Sequence, residues 1–147
     1  MNTTWIVVAD NAGARLFAHE GPGTGLKPIN ELSHPAGRLH DRDIGSDRPG
    51  RSFDRMGSGR HAMDPRQTPH EHENELFARD IAKVLAEGRN QQRYQKLVLV
   101  AAPKVLGGLR AQLDDRTSEA VMASLDKDLT DISASELPRY LAPLLAL

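Results

Sequence analysis

The chain contains no cysteine, which removes disulfides, thiolate nucleophiles and cysteine-type zinc sites and fits a reducing compartment. Aromatic residues make up only 4% of it, so a core has to be assembled from Ala, Val, Leu and Ile. No run approaches the roughly 18 apolar residues that a membrane span needs. The N-terminal Met1-Asn2-Thr3-Thr4 has no basic flank, and the short apolar run after it meets Asp10, unlike a signal peptide. A formal net charge of -1 supplies no whole-molecule field for nucleic acid or an anionic membrane. The expectation is a soluble, cytoplasmic protein with no membrane partner, in which any recognition of polyanions falls to a local patch. Phosphate-loop, nucleotide-fingerprint and Ser-His-Asp spacings are lacking too. The sequence therefore offers no catalytic residue and no cofactor site.

What is present fits one domain spanning residues 1–147, since this length buries one core well and two poorly. Trp5-Ile6-Val7-Val8-Ala9, the turn cluster Asp10-Asn11-Ala12-Gly13 and Ala14-Arg15-Leu16-Phe17-Ala18 predict a β-hairpin, with positive φ angles available in the turn. Residues 26–34 follow a second glycine-rich turn and predict a third strand, in which Pro28 favours a sheet edge or a strand start. Thr68-Pro69-His70-Glu71 predicts a helix start with a capping box. Leu76, Phe77, Ile81, Val84 and Leu85 form its apolar stripe, and Gly88 is the expected stop. Lys96-Leu97-Val98-Leu99-Val100-Ala101-Ala102, ended by Pro103, has the continuous apolar character of a strand covered on both faces and is expected in the middle of the sheet. Residues 106–116 predict a short helix weakened by Gly107 and Gly108. Residues 121–125 read as a strand or as its continuation, because periodicity does not separate the two. A last helix capped by Ser133 or Ser135 would present Leu137, Tyr140, Leu141, Leu144 and Leu145, with Pro138 tolerated in its first turn. The order implies an α/β fold, a mixed β-sheet flanked by helices.

Between the third strand and the long helix, residues 37–66 show neither helical nor strand period and predict a long loop, functional or flexible. This segment holds Arg38, Arg42, Arg48, Arg51, Arg55, Arg60 and Arg66, half of the chain's arginines, and no lysine. Arginine presents a planar, always-charged fork that matches phosphate and carboxylate, whereas lysine would serve for solubility alone. Five aspartates in the same stretch reduce its formal charge to +2 and could pair internally, so recognition and a self-neutralising loop both stay open. The candidate binding residues are Arg42, Arg48, Arg51, Arg55, Gly57, Gly59, Arg60 and His61. His70-Glu71-His72-Glu73 suggests a metal site on composition alone, but two histidines two positions apart on a helix do not share a face. Glu71, Glu73 and Glu75 are accounted for as acids complementing a helix N-terminus. No metal is expected. Asp10, Lys104 and Asp126 to Asp128 fall near strand ends, where clefts of α/β folds form, although most such residues are solvated turn positions.

Leu39-His40-Asp41-Arg42-Asp43, Gly45-Ser46-Asp47-Arg48-Pro49-Gly50-Arg51, Gly59-Arg60-His61-Ala62, Leu97-Val98-Leu99-Val100-Ala101 and Asp126-Lys127-Asp128-Leu129-Thr130 together resemble the bacterial host attachment protein family, over nearly the whole chain. That family in turn looks like the middle domain of archaeal and eukaryotic peptide-chain release factors and of Pelota-type ribosome rescue factors. The resemblance implies the same element order and a functional loop between the third strand and the first long helix. In the release factors this loop carries a Gly-Gly-Gln tip that promotes peptidyl-tRNA hydrolysis. Here the matching stretch is Arg55-Met56-Gly57-Ser58-Gly59-Arg60-His61, without that glutamine. The implied role is therefore binding, with the ribosome, RNA or an acidic protein as partner. The alternatives are a protein-interaction module connected with host attachment, and a hydrolase using His61 with a loop aspartate.

Overall fold

The computed structural model describes residues 2–34 and 69–144, the side chain of His70 excepted. Three strands open the chain: β1 (Thr4–Ala9), β2 (Gly13–His19) and β3 (Lys27–Ser33). They are followed by α1 (Pro69–Asn90), β4 (Lys96–Val100), α2 (Pro103–Gln112), α3 (Asp115–Ala120), β5 (Val121–Leu125) and α4 (Leu137–Leu141). The sheet order is β3-β2-β1-β4-β5. The hairpin and β3 are antiparallel, whereas β4 runs parallel to β1 and β5 parallel to β4. This is the mixed α/β sheet expected. β1, not β4, occupies its centre, and β4 lies beside it with both faces covered.

Side-chain alternation along the strands divides the core into two layers. Trp5, Val7 and Ala9 of β1, with Leu97 and Leu99 of β4, pack against Phe77, Ile81 and Leu85 of α1 and Leu106 and Leu109 of α2. Ile6, Val8, Val98 and Val100 face the other way, onto Leu129, Leu137 and Leu141. The long helix packs through Phe77, Ile81 and Leu85, with Val84 partly buried beside them, while Leu76 is half-buried and outside that cluster. β3 is the predicted edge. Pro28 sits opposite Phe17, next to a register shift between Leu16 and Phe17, a position where a missing N–H is tolerated.

Several expectations are corrected. The Asp10–Gly13 turn uses no positive φ. The Asp10 carboxylate closes it instead, its Oδ1 accepting from the backbone N–H of Ala12 at 2.7 Å and Gly13 at 2.9 Å, an Asx-type substitute for a glycine turn. Gly88 does not stop α1, which runs on to Asn90. A Cβ at Gly88 would lie 2.5 Å from the Trp5 ring, so the glycine allows helix and strand to approach closely. Pro103 is in the first turn of α2 rather than merely the end of a strand, and α2 starts three residues before the expected Leu106. It breaks at Leu113, which is extended, and a separate α3 begins where Asp114 accepts from the Thr117 backbone N–H at 2.7 Å. That hydrogen bond holds the Asp114 carboxyl below its usual range. Residues 121–125 are a strand. The last helix is short and Ser133 and Ser135 do not cap it: their hydroxyls pair with each other at 3.1 Å. Tyr140 points outward, 39% exposed, because in so short a helix the buried face is taken by Leu137 and Leu141. Leu145 lies outside the described residues, as do Thr68 and the capping box it would close.

Candidate binding site

Arg42, Arg48, Arg51, Arg55, Gly57, Gly59, Arg60 and His61, with the rest of the 37–66 segment, lie outside the described residues. What the structure places is the frame around them. Directly after β3, His34 packs against α1 and the β1–β2 turn. Its ring stacks on Phe77 of α1, centroids 4.5 Å apart and planes within 11°. Its backbone N–H donates to the Ala12 carbonyl at 2.9 Å. The ring Nδ1 contacts the Asn11 carbonyl. A carbonyl only accepts, so Nδ1 carries a proton; Nε2 lies 3.8 Å from the Glu73 carboxylate, an ion pair when that nitrogen is protonated as well. His34 is 8% exposed, held between the β1–β2 turn and α1. Sequence reading passed over it. The available signal was a lone histidine directly after an alternating strand, which composition alone does not distinguish from a surface residue.

Asp10 and Lys104 come to the same end of the sheet, as expected of strand-end residues, and border one cavity of about 380 Å³ between α1 and α2. Lys104 Nζ lies 3.5 Å from Glu71 Oε2, tying the first turns of the two helices. Asp126 and Asp128 follow β5 and are not part of that cavity. The Asp128 carboxylate instead accepts from the backbone N–H of Thr130 at 3.1 Å and from its hydroxyl, a local turn. His72 lies in α1, and among the described residues no group of three metal-ligating side chains converges. Glu71 in the first turn of α1 complements the helix dipole as the sequence suggested.

On the opposite layer, Arg15 reaches across to the C-terminal segment. Its Nη2 donates to the carbonyls of Leu129 at 3.1 Å, Thr130 at 3.2 Å and Ile132 at 2.8 Å, and its guanidinium lies 5.6 Å from the Phe17 ring centroid. This arginine, outside the arginine-rich segment, pins the chain after β5 to the sheet. Among the described residues, no helix is long and apolar enough to cross a membrane.

A single α/β domain with a mixed five-stranded sheet is thus the class of molecule the fold defines. The chain belongs to the family described as "Protein required for attachment to host cells", which matches residues 5–141. Among solved structures it is similar to a chain titled "Archaeal protein", with a TM-score of 0.46 and 9% identity. It is also similar to an archaeal translation termination factor, with a TM-score of 0.44 and 9% identity. Each alignment covers 97% of this chain and 38% of the other, so this chain spans well under half the length of either. Nothing among the curated proteins matches it.

Proposed function

We propose that this chain is a non-catalytic binding protein whose 37–66 segment recognises an RNA-containing partner, the ribosome foremost, through Arg42, Arg48, Arg51, Arg55 and Arg60, together with Gly57, Gly59 and His61. The observation that carries this reading is the choice of cation: seven arginines and no lysine in that stretch, the residue type suited to bidentate phosphate contacts. Binding of this kind is dominated by phosphate contacts and weakens steeply with salt. Co-sedimentation with ribosomes tests it: the wild-type chain is expected to pellet at low salt and a triple variant, Arg48→Ala with Arg51→Ala and Arg60→Ala, to stay in the supernatant. A wild-type chain that shows no salt-sensitive association contradicts the reading.

A second reading is favoured by the family description: a protein-interaction module contributing to attachment, directly or through another protein. Cell fractionation separates the two, since a substantial surface-exposed pool supports attachment and an exclusively ribosome-associated pool supports RNA recognition.

A further inference from the structure

The cavity between α1 and α2 has a floor of Phe77, Ile81, Val105 and Leu109 and opens beside Asp10 and Gly108. Gly108 is in the interior of α2, where glycine weakens a helix relative to alanine. Nothing among the described residues accounts for it. Its φ is not positive, and a Cβ built there meets no atom within 4 Å. The absent side chain keeps open a wall that a larger residue would fill. Two acceptors stand at the same cavity. Asp10 uses Oδ1 for the turn, and its Oδ2 has no protein donor among the described residues. Asn74, which also lines the cavity, has a buried Oδ1 without a hydrogen-bond partner. Lys104, the cation at the rim, is already paired with Glu71. An apolar floor beneath unused acceptors and a half-buried carboxylate calls for a ligand with N–H donors and positive charge on an apolar stem.

We propose that this cavity is a binding site for a small organic cation, a guanidinium or ammonium group on an aliphatic stem, with Asp10 taking the charge, Asn74 accepting one N–H and the stem lying on Phe77, Ile81 and Leu109. A volume of about 380 Å³ holds one such group and stem, at the lower end of small-molecule pockets. The same chemistry arises from a free amine or from the basic side chain of a peptide.

The test is titration of the full chain, followed by amide chemical shifts, with butylguanidinium as probe, butylurea as its neutral isostere and N-acetylarginine methylamide as the peptide-borne form. Butylguanidinium is expected to give saturable shifts at Ala78, Gly108 and Leu109 with Kd of about 1 mM, and butylurea to bind at least about tenfold more weakly. Asp10→Asn keeps the turn-closing oxygen, removes the charge and should lose about tenfold in affinity for the cation. Gly108→Leu should abolish the shifts while leaving Tm at or above wild type. Gly107→Leu, one residue away and outside the cavity lining, should raise Tm without affecting binding. Tighter binding of the arginine amide assigns the source to a partner's side chain, and equal or weaker binding to a free amine; both uphold the site. No saturable shifts at these amides in the wild type, or binding unchanged in Gly108→Leu, overturns the proposal.

Discussion

Tyr94 and Gly88 show how single residues set the fit between the long helix and the central strand. Tyr94 is buried, packs with its ring tilted 35° to that of Trp5 at a centroid distance of 4.7 Å, and donates from its hydroxyl to the Leu85 carbonyl at 2.6 Å. Burial pushes its pKa up to about 12. An acid whose folded pKa is raised contributes stability below its unfolded value of 10.0, and that contribution is lost as the pH rises from there through about 12. The measurement is a spectrophotometric titration of the Tyr140→Phe variant, in which Tyr94 is the one remaining tyrosine. Its phenolate should appear near pH 12, together with unfolding. At Gly88 the margin is steric: a methyl group there meets Cη2 of Trp5 at 2.5 Å and Cζ3 at 2.7 Å. Gly88→Ala should therefore destabilise by about 1–3 kcal/mol in denaturant titration, against the modest gain that helix propensity alone would give.

At the scale of elements, the segment after β5 is the least regular part of the core, yet it covers one whole face of the sheet through Leu129, Leu137 and Leu141. Three of its carbonyls depend on Arg15. Arg15→Met keeps the aliphatic stem and removes the donors, and should cost about 2 kcal/mol; hydrogen exchange should rise in residues 129–144 before it rises in β1 or β4. The elements themselves were mostly legible. Hairpin, edge strand, long helix and apolar strand follow from periodicities of 2 and 3.6 and from proline placement. The failures share a cause, which is that tertiary contact overrode local propensity. Gly88 reads as a stop signal, but it is a contact point under Trp5. The α2–α3 break at Leu113 depends on Asp114 finding the Thr117 N–H, an exchange that competes evenly with helix continuation in a linear reading. Strand order was hidden as well, since β1 and β4 are both apolar and only pairing shows that β1 is central.

For the whole molecule, the described fold and the proposed binding residues of the 37–66 segment are separate parts of the chain. The arginine-rich segment was legible from composition because seven arginines without a lysine depart from ordinary surface usage. The contacts of His34 were not legible: they are made with Asn11, Glu73 and Phe77, 23–43 residues away in the sequence. The cavity beside Asp10 was legible in part, because Asp10 and Lys104 stand at strand ends, where clefts form; its apolar walls on α1 and α2 follow only from packing. Recognition of an RNA-containing partner by the 37–66 segment is tested most directly by the salt dependence of binding to ribosomes, wild type against the Arg48→Ala, Arg51→Ala, Arg60→Ala variant. Each phosphate contact contributes about 0.7–0.9 to the slope of log K against log salt, so the triple variant should lose about 2–3 from that slope along with most of its affinity. An unchanged slope would contradict the account.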